Sequence, residues 1–172
     1  MTGKVSKLLH EEMVHNGGVW NGGDFEGDWR GGRFKSGTFK GTWEGGVWQG
    51  GEWVFGTWYG GEWRGGVWNN GSWLRGTWKG GTWLNGSWDS GNWLGGTWEF
   101  GLWRGGTWHG GTWDGGRFIC GDWLNGTWHY GEWYMGTWAG GTWHGGKIWD
   151  QKLYSWVEST VNPTDYFANR GS

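Results

Sequence analysis

Between Gly41 and Gly145 the chain repeats the unit Gly-x-Trp-x-x. From position 43 to position 143 every fifth residue is aromatic, tryptophan throughout except Phe118, and a glycine stands two residues before each. A strict short period marks a repeat architecture in which each unit is one structural step stacked on its neighbours. Side chains alternate along an extended segment, so an inward Trp turns the residues before and after it outward and the glycine two places back inward. The remaining pair forms a turn. Type I turns accept most residues at their centre, and a following glycine supplies the positive φ that closes a corner. Pairs as unlike as Val54-Phe55, Glu99-Phe100, Ile119-Cys120 and Tyr134-Met135 can therefore precede the same glycine.

The flanks break this pattern and divide the chain into 1–17, 18–148 and 149–172. Val5, Leu8, Leu9 and Met13 fall at helical spacing before Asn16-Gly17-Gly18, which predicts an amphipathic helix over 3–15 that caps the first layer of repeats. The aromatics Trp20, Phe25, Trp29, Phe34, Phe39 and Trp43 are spaced five, four, five, five and four, so two units are one residue short. A missing residue displaces everything after it unless a corner absorbs it. At the other end Asp150 is placed to cap a second helix carrying Leu153, Trp156, Val157 and Val161, which Asn162-Pro163 would stop.

Gly-Thr-Trp-Lys-Gly at 76–80 and Gly-Thr-Trp-Ala-Gly at 136–140 show the register that resembles the pentapeptide-repeat proteins. In that family a large central residue, Leu or Phe, follows a small inward residue by two places. The resemblance covers about 18 to 148 and implies an all-β, right-handed quadrilateral β-solenoid with four five-residue units per coil. Here Trp replaces Leu or Phe and Gly replaces Ala. Four Trp with four Gly occupy roughly 670 Å³ against roughly 630 Å³ for four Phe with four Ala, so the exchange nearly conserves volume.

Aligned at the four-unit period, Thr57, Thr77, Thr97 and Thr137 share a column that Arg117 interrupts. The same alignment gathers Val54, Phe55, Leu74, Leu94, Tyr134 and Met135 into an apolar stripe, the candidate interface, with Asp114 breaking it. A ten-residue alternation supports a second geometry. Trp-Leu-Asn-Gly before the next unit places Asn-Gly at the centre of a tight hairpin turn, giving an antiparallel meander or shallow barrel of Trp hairpins. That arrangement would expose its Trp face, and the Trp or Thr face would then be the place to bind a ligand or surface.

Composition removes several function classes. With 43 Gly against one Pro the chain is neither ordinary globular nor collagen-like, and 24 Trp supply the apolar area that Gly-rich chains lack. A net charge of −2 from interspersed residues of both signs argues against nucleic-acid binding. Cys120 is the sole cysteine, which excludes a disulfide framework. No apolar run approaches a membrane span, and acidic residues occupy the place of a signal peptide's apolar core, so the expected location is cytoplasmic or virion.

Catalytic spacing is missing: the five His form no constellation and the hydroxyls have no adjacent base. In four-unit coils Asp89, His109 and His129 would form a ladder, read as a solvated column, so no metal and no cofactor is expected. The expected function is a non-enzymatic structural or protein-interaction scaffold, contacting a protein partner or its own copies. Similar short Trp/Gly repeats occur in phage-encoded proteins, which suggests a phage or virion setting. The family resemblance implies one alternative, mimicry of duplex DNA toward topoisomerases. That role wants a continuous acidic face, whereas Arg64, Arg75, Lys79 and Arg104 alternate with Glu52, Glu62 and Asp89.

Overall fold

Three faces, not four, enclose the repeat. The computed structural model describes residues 18–170. Each unit contributes a two-residue strand such as Thr77–Trp78, which pairs in parallel with Glu62–Trp63 below and Asn92–Trp93 above. Paired strands are three units apart along the chain, so three units make one coil. The chain is thus a β-solenoid, as the repeat predicts, and the four-unit quadrilateral coil is corrected to a triangular one. The parallel pairing also removes the hairpin meander.

Ring geometry explains the number three. Successive rings meet edge to face, Trp78 on Trp83 and Trp83 on Trp88 both at 6.0 Å and 75°. The next unit returns the chain over its start, where Trp93 stacks on Trp78 at 4.8 Å and 7°. Both arrangements are favoured by the ring quadrupole. Four rings at that spacing would leave the diagonal pair about 8.5 Å apart around an unfilled centre, which close packing disfavours. Three rings leave no hole, and from Trp29 to Trp128 every core aromatic is fully buried.

Each face carries nine rungs, so the rod is roughly 40 Å long at about 4.8 Å per strand. The first face runs from Trp20 to Trp138, the second from Phe25 to Trp143, and the third from Trp29 to Ile148, which takes the place of a Trp. Each unit hangs from the coil below by backbone bonds on either side of its Trp, such as Thr77 N–H to Gly61 O at 2.9 Å and Lys79 N–H to Trp63 O at 2.8 Å.

The two short units lie one coil apart at the same corner. There the chain omits the turn and rounds the corner as continuous strand, Asp24–Trp29 and Thr38–Trp43, two six-residue strands paired in full register. Both coils shorten alike, so no column is displaced. The next strand, Glu52–Trp58, carries the regular spacing, and the extra residue enters as a register shift opposite Phe39 and Lys40, with Val54 the bulged residue.

The C-terminal expectation needs correction. Asp150 accepts from the Lys152 and Leu153 N–H groups at 2.9 and 3.1 Å, the bonds a helix cap makes. The chain then reverses at Tyr154, whose φ is +51°, and Gly146–Asp150 pairs antiparallel with Ser155–Ser159. Trp149 and Trp156 face each other across this hairpin at 5.4 Å, a cross-strand pair that outweighs the helical spacing of Leu153, Trp156 and Val157. The helix follows instead: α1 (Pro163–Asn169) has Asn162 as its N-cap and Pro163 in its first turn. The predicted helix over 3–15 lies outside the described residues.

This segment closes the end of the rod. Ser155–Ser159 completes the third face, Thr164 donates to Trp138 O on the first at 2.8 Å, and the Trp143 indole on the second donates to Ser159 O at 3.0 Å. Open strand edges are thereby covered.

The glycine two places before each Trp faces a tighter constraint than ring volume. At Gly91 φ is +125°, and a Cβ would lie 2.3 Å from the Gly76 carbonyl oxygen one coil below. The obstacle at Gly76 and Gly136 is likewise the stacked carbonyl, at 2.5 and 2.4 Å, with the backbone N of the same glycine next and the Trp58 and Phe118 rings after it. By contrast Gly95, in the turn, has its nearest neighbour at 3.8 Å. Gly91→Ala is therefore expected to lose at least about 3 kcal/mol of unfolding free energy, and Gly95→Ala to change it by less than about 0.5 kcal/mol. Urea titration of the two variants measures the difference; equal losses would show that the stacked carbonyls do not set the glycine requirement.

Candidate functional site

The filled core leaves the three outer columns, the corners and the ends to carry function. The three-unit coil, in place of a four-unit one, decides which side chains meet. The predicted interface residues are separated: Val54 and Phe55 lie at the corner after the second face, Leu74, Tyr134 and Met135 at the corner after the third, and Leu94 at the corner after the first. Leu74 and Tyr134 share a corner but stand four coils apart. The six therefore form no continuous stripe. Phe55 is exposed alone, and only the adjacent Tyr134 and Met135 belong to a larger assembly of side chains.

The threonines are regrouped too. Thr57 faces out from the third face, Thr77 and Thr137 from the first and Thr97 from the second. The second face instead aligns Thr82, Thr97, Thr112, Thr127 and Thr142 on consecutive coils. Thr pairs across neighbouring strands stabilise a sheet surface. The residues after the intervening Trp, among them Glu99, Asp114 and His129, vary in charge, so the ladder is one residue wide.

The histidines do not stack as a four-unit coil would place them. His129 Nδ1 lies 2.7 Å from Asp114 Oδ1 in the coil below, and its ring is 5.2 Å from His144 in the coil above. His109 is at another corner, with Asn92 Oδ1 at 3.5 Å. Among the described residues no group of three or more His, Cys, Asp or Glu side chains is arranged to hold a metal. The Cys120 thiol donates to Arg104 O at 2.8 Å.

Charges are paired across coils. Asp89 meets Arg104 at 3.0 Å and Glu132 meets Arg117 at 2.6 Å, each pair joining one coil to the next. Glu62 accepts from Arg64 Nε at 2.5 Å and lies 3.1 Å from Lys79 Nζ. The hydrogen bond from Arg64, then that from Lys79, holds the Glu62 carboxyl below the usual glutamate range.

Two concave regions stand out on this surface. One, about 410 Å³, lies between the exposed rings of Phe100 and Tyr130, two coils apart, over the Arg117–Glu132 pair. The coil between them has Gly115 at that corner, and the Phe100 ring occupies the space its missing side chain leaves. The other, about 570 Å³, opens where the last coils meet the hairpin and α1, and Tyr134, Met135, Trp149, Pro163, Phe167 and Arg170 line it. Beneath it Asp150, 1% exposed, accepts from Tyr166 Oη at 2.9 Å and pairs with Arg170. Tyr134 and Trp149 stack at 5.7 Å and 29°. Sequence reading reached Tyr134 and Met135 through their apolar character. It missed Trp149, Phe167 and Arg170, because only the hairpin reversal returns α1 to the last coil.

The fold and surface define the class: a triangular, Trp-cored β-solenoid repeat protein. No protein-family model matches the chain, and no curated protein or solved structure matches it significantly. No described helix is long and apolar enough to cross a membrane.

The depressed Glu62 carboxyl stabilises the fold above the pKa of an unfolded glutamate, and that contribution fades as pH falls through its lower folded value. Exposure keeps the effect small. Carboxyl NMR titration should find Glu62 below the usual range, and Arg64→Met should move it upward; an unmoved midpoint would assign the shift elsewhere.

Proposed function

We propose that this protein is a non-enzymatic structural and protein-interaction rod. The observation that carries the reading is the continuous aromatic core: from Trp29 to Trp128 the interior is filled by rings, leaving side-chain chemistry to the outer columns and ends. Stacked repeats of this kind present fixed side chains at regular intervals along an extended surface. We further propose kinship with the pentapeptide-repeat proteins at the level of the single unit, with a three-unit coil as the departure that Trp requires. A phage or virion assembly is a setting that suits a rod of this kind.

The alternative of DNA mimicry draws less support. Carboxylates that would have to form an acidic face, Glu62, Asp89 and Glu132, are each held by a cation on the same surface. A short, rigid, neutralised surface favours protein contact over an imitation of the phosphate backbone.

Photo-crosslinking tests the proposal. A photoreactive residue placed at Thr77, Ser87 or Thr112, one on each face, or at Phe167 on the capped end, is expected to capture a protein in cells of the native source from one or two of these positions and not from the others. Absence of protein crosslinks at all four positions would overturn the reading.

A further inference from the structure

The cavity at the capped end has the chemistry of a ligand site independent of any partner along the rod. Its volume, about 570 Å³, falls in the range of small-molecule sites. Rings and apolar groups supply the lining: the Trp149 indole, stacked against Tyr134 and packed edge-to-face with Trp156, together with Phe167 of α1, Met135 and Pro163. Aromatic walls of this kind hold planar rings by stacked or edge-on contact. Phe167 and Met135 are both solvent-exposed at the mouth, so a ligand can enter without the cap unfolding.

Charge at the cavity is unbalanced. Its charged lining residues are Asp150, Lys152 and Arg170. Asp150 is consumed: one carboxylate oxygen accepts from the Lys152 and Leu153 N–H groups, and the other from Tyr166 and Arg170. Arg170 pairs with Asp150, donates to the Tyr166 hydroxyl at 3.2 Å and lies over the Tyr166 ring. A guanidinium presents donors in a planar fork suited to a carboxylate. The Lys152 ammonium has no carboxylate partner among the described residues. With one anion against two cations, the site carries a net positive charge beside aromatic walls.

We propose that this cavity binds a small aromatic anion, its ring system between Trp149 and Phe167 and its carboxylate toward Lys152 and Arg170. The buried Asp150 holds the Arg170 guanidinium and the backbone of the turn that carries Lys152, so one cationic group and the base of the other are in place before a ligand arrives. Pre-organisation of this kind lowers the cost of binding.

Isothermal titration of the full chain with 1-naphthoate, and with 1-naphthylmethylammonium as the cation of similar shape, reads out the proposal. The expected dissociation constant for 1-naphthoate is about 10–100 µM, in keeping with the efficiency of ligands of that size. The cation is expected to bind at least about fivefold more weakly, because one solvent-accessible charge contact changes sign. Met135→Trp, which puts a bulkier side chain across the mouth of the cavity, should weaken naphthoate binding more than about tenfold. Lys152→Glu lies on the exposed turn, where it leaves the core untouched, and should reverse the preference between the two ions. Equal binding of anion and cation, undiminished binding to Met135→Trp, or no detectable naphthoate binding would each overturn the assignment. Protein crosslinks along the rod faces neither require this site nor depend on it, so the two readings fail separately.

Discussion

Everything in this rod follows from the way an indole meets its neighbours. Through the regular array a Trp touches the next unit edge-on at about 6 Å and, in most coils, the next coil face-on at about 5 Å, for instance Trp83 with Trp88 and with Trp98. The edge-on contact suits the angle through which the chain turns at each unit, and the face-on stack matches the rise of about 4.8 Å that the β-ladder gives each coil. Leu is smaller and has no face or edge to orient, so a coil lined by it is free of this constraint. Once the rings set a three-sided coil, the glycines are fixed in turn. The β-ladder sets successive coils about 4.8 Å apart, and at the positive φ of Gly91 and its counterparts a Cβ would point into the carbonyl of the coil below.

The same packing carries a cost. Fifteen buried indole N–H groups among the described residues have no hydrogen-bond acceptor, whereas Trp48, Trp63 and Trp128 reach the carbonyls of Gly65, Gly80 and Gly145 in the coil above. A buried donor left unpaired ordinarily costs about 1–3 kcal/mol. Edge-to-face contacts offset part of this, since they set the positive rim of one ring against the negative face of another. The arrangement therefore depends on many rings acting together. A single coil has no partner for its stacking faces, and stability accrues by nearest-neighbour contact along the axis.

Filling the core also moves side-chain chemistry outward, because the packed aromatic core runs through the coils from Trp29 to Trp128. Side chains that leave the repeat, such as Trp149, Phe167 and Arg170, gather at the capped end, and there the surface becomes concave. The cap has two tasks at once: it pairs the last strand edges, through Ser155–Ser159 and Thr164, and it builds an aromatic and cationic recess over Asp150.

The five-residue period, the inward Trp and the outward flanking residues were legible in the sequence because they are local: alternation along an extended backbone and a turn that ends in glycine. They allowed a solenoid and a meander of Trp hairpins, and the parallel pairing of the strands decided for the solenoid. The number of units per coil was not legible, since five-residue steps build a three-unit and a four-unit coil alike and a volume comparison does not register ring orientation. That one number decided which residues are neighbours. It dispersed Val54, Leu74 and Leu94 over three corners, set Asp114 beneath His129, and aligned Thr82 with Thr97 and Thr112. At the end of the chain Asp150 makes the capping bonds its sequence position announces, yet Tyr154 reverses the chain, because Trp156 finds Trp149 across a hairpin. The sequence by itself determined the step; only the tertiary structure decided the turn count and the end, because both depend on how rings from distant units meet.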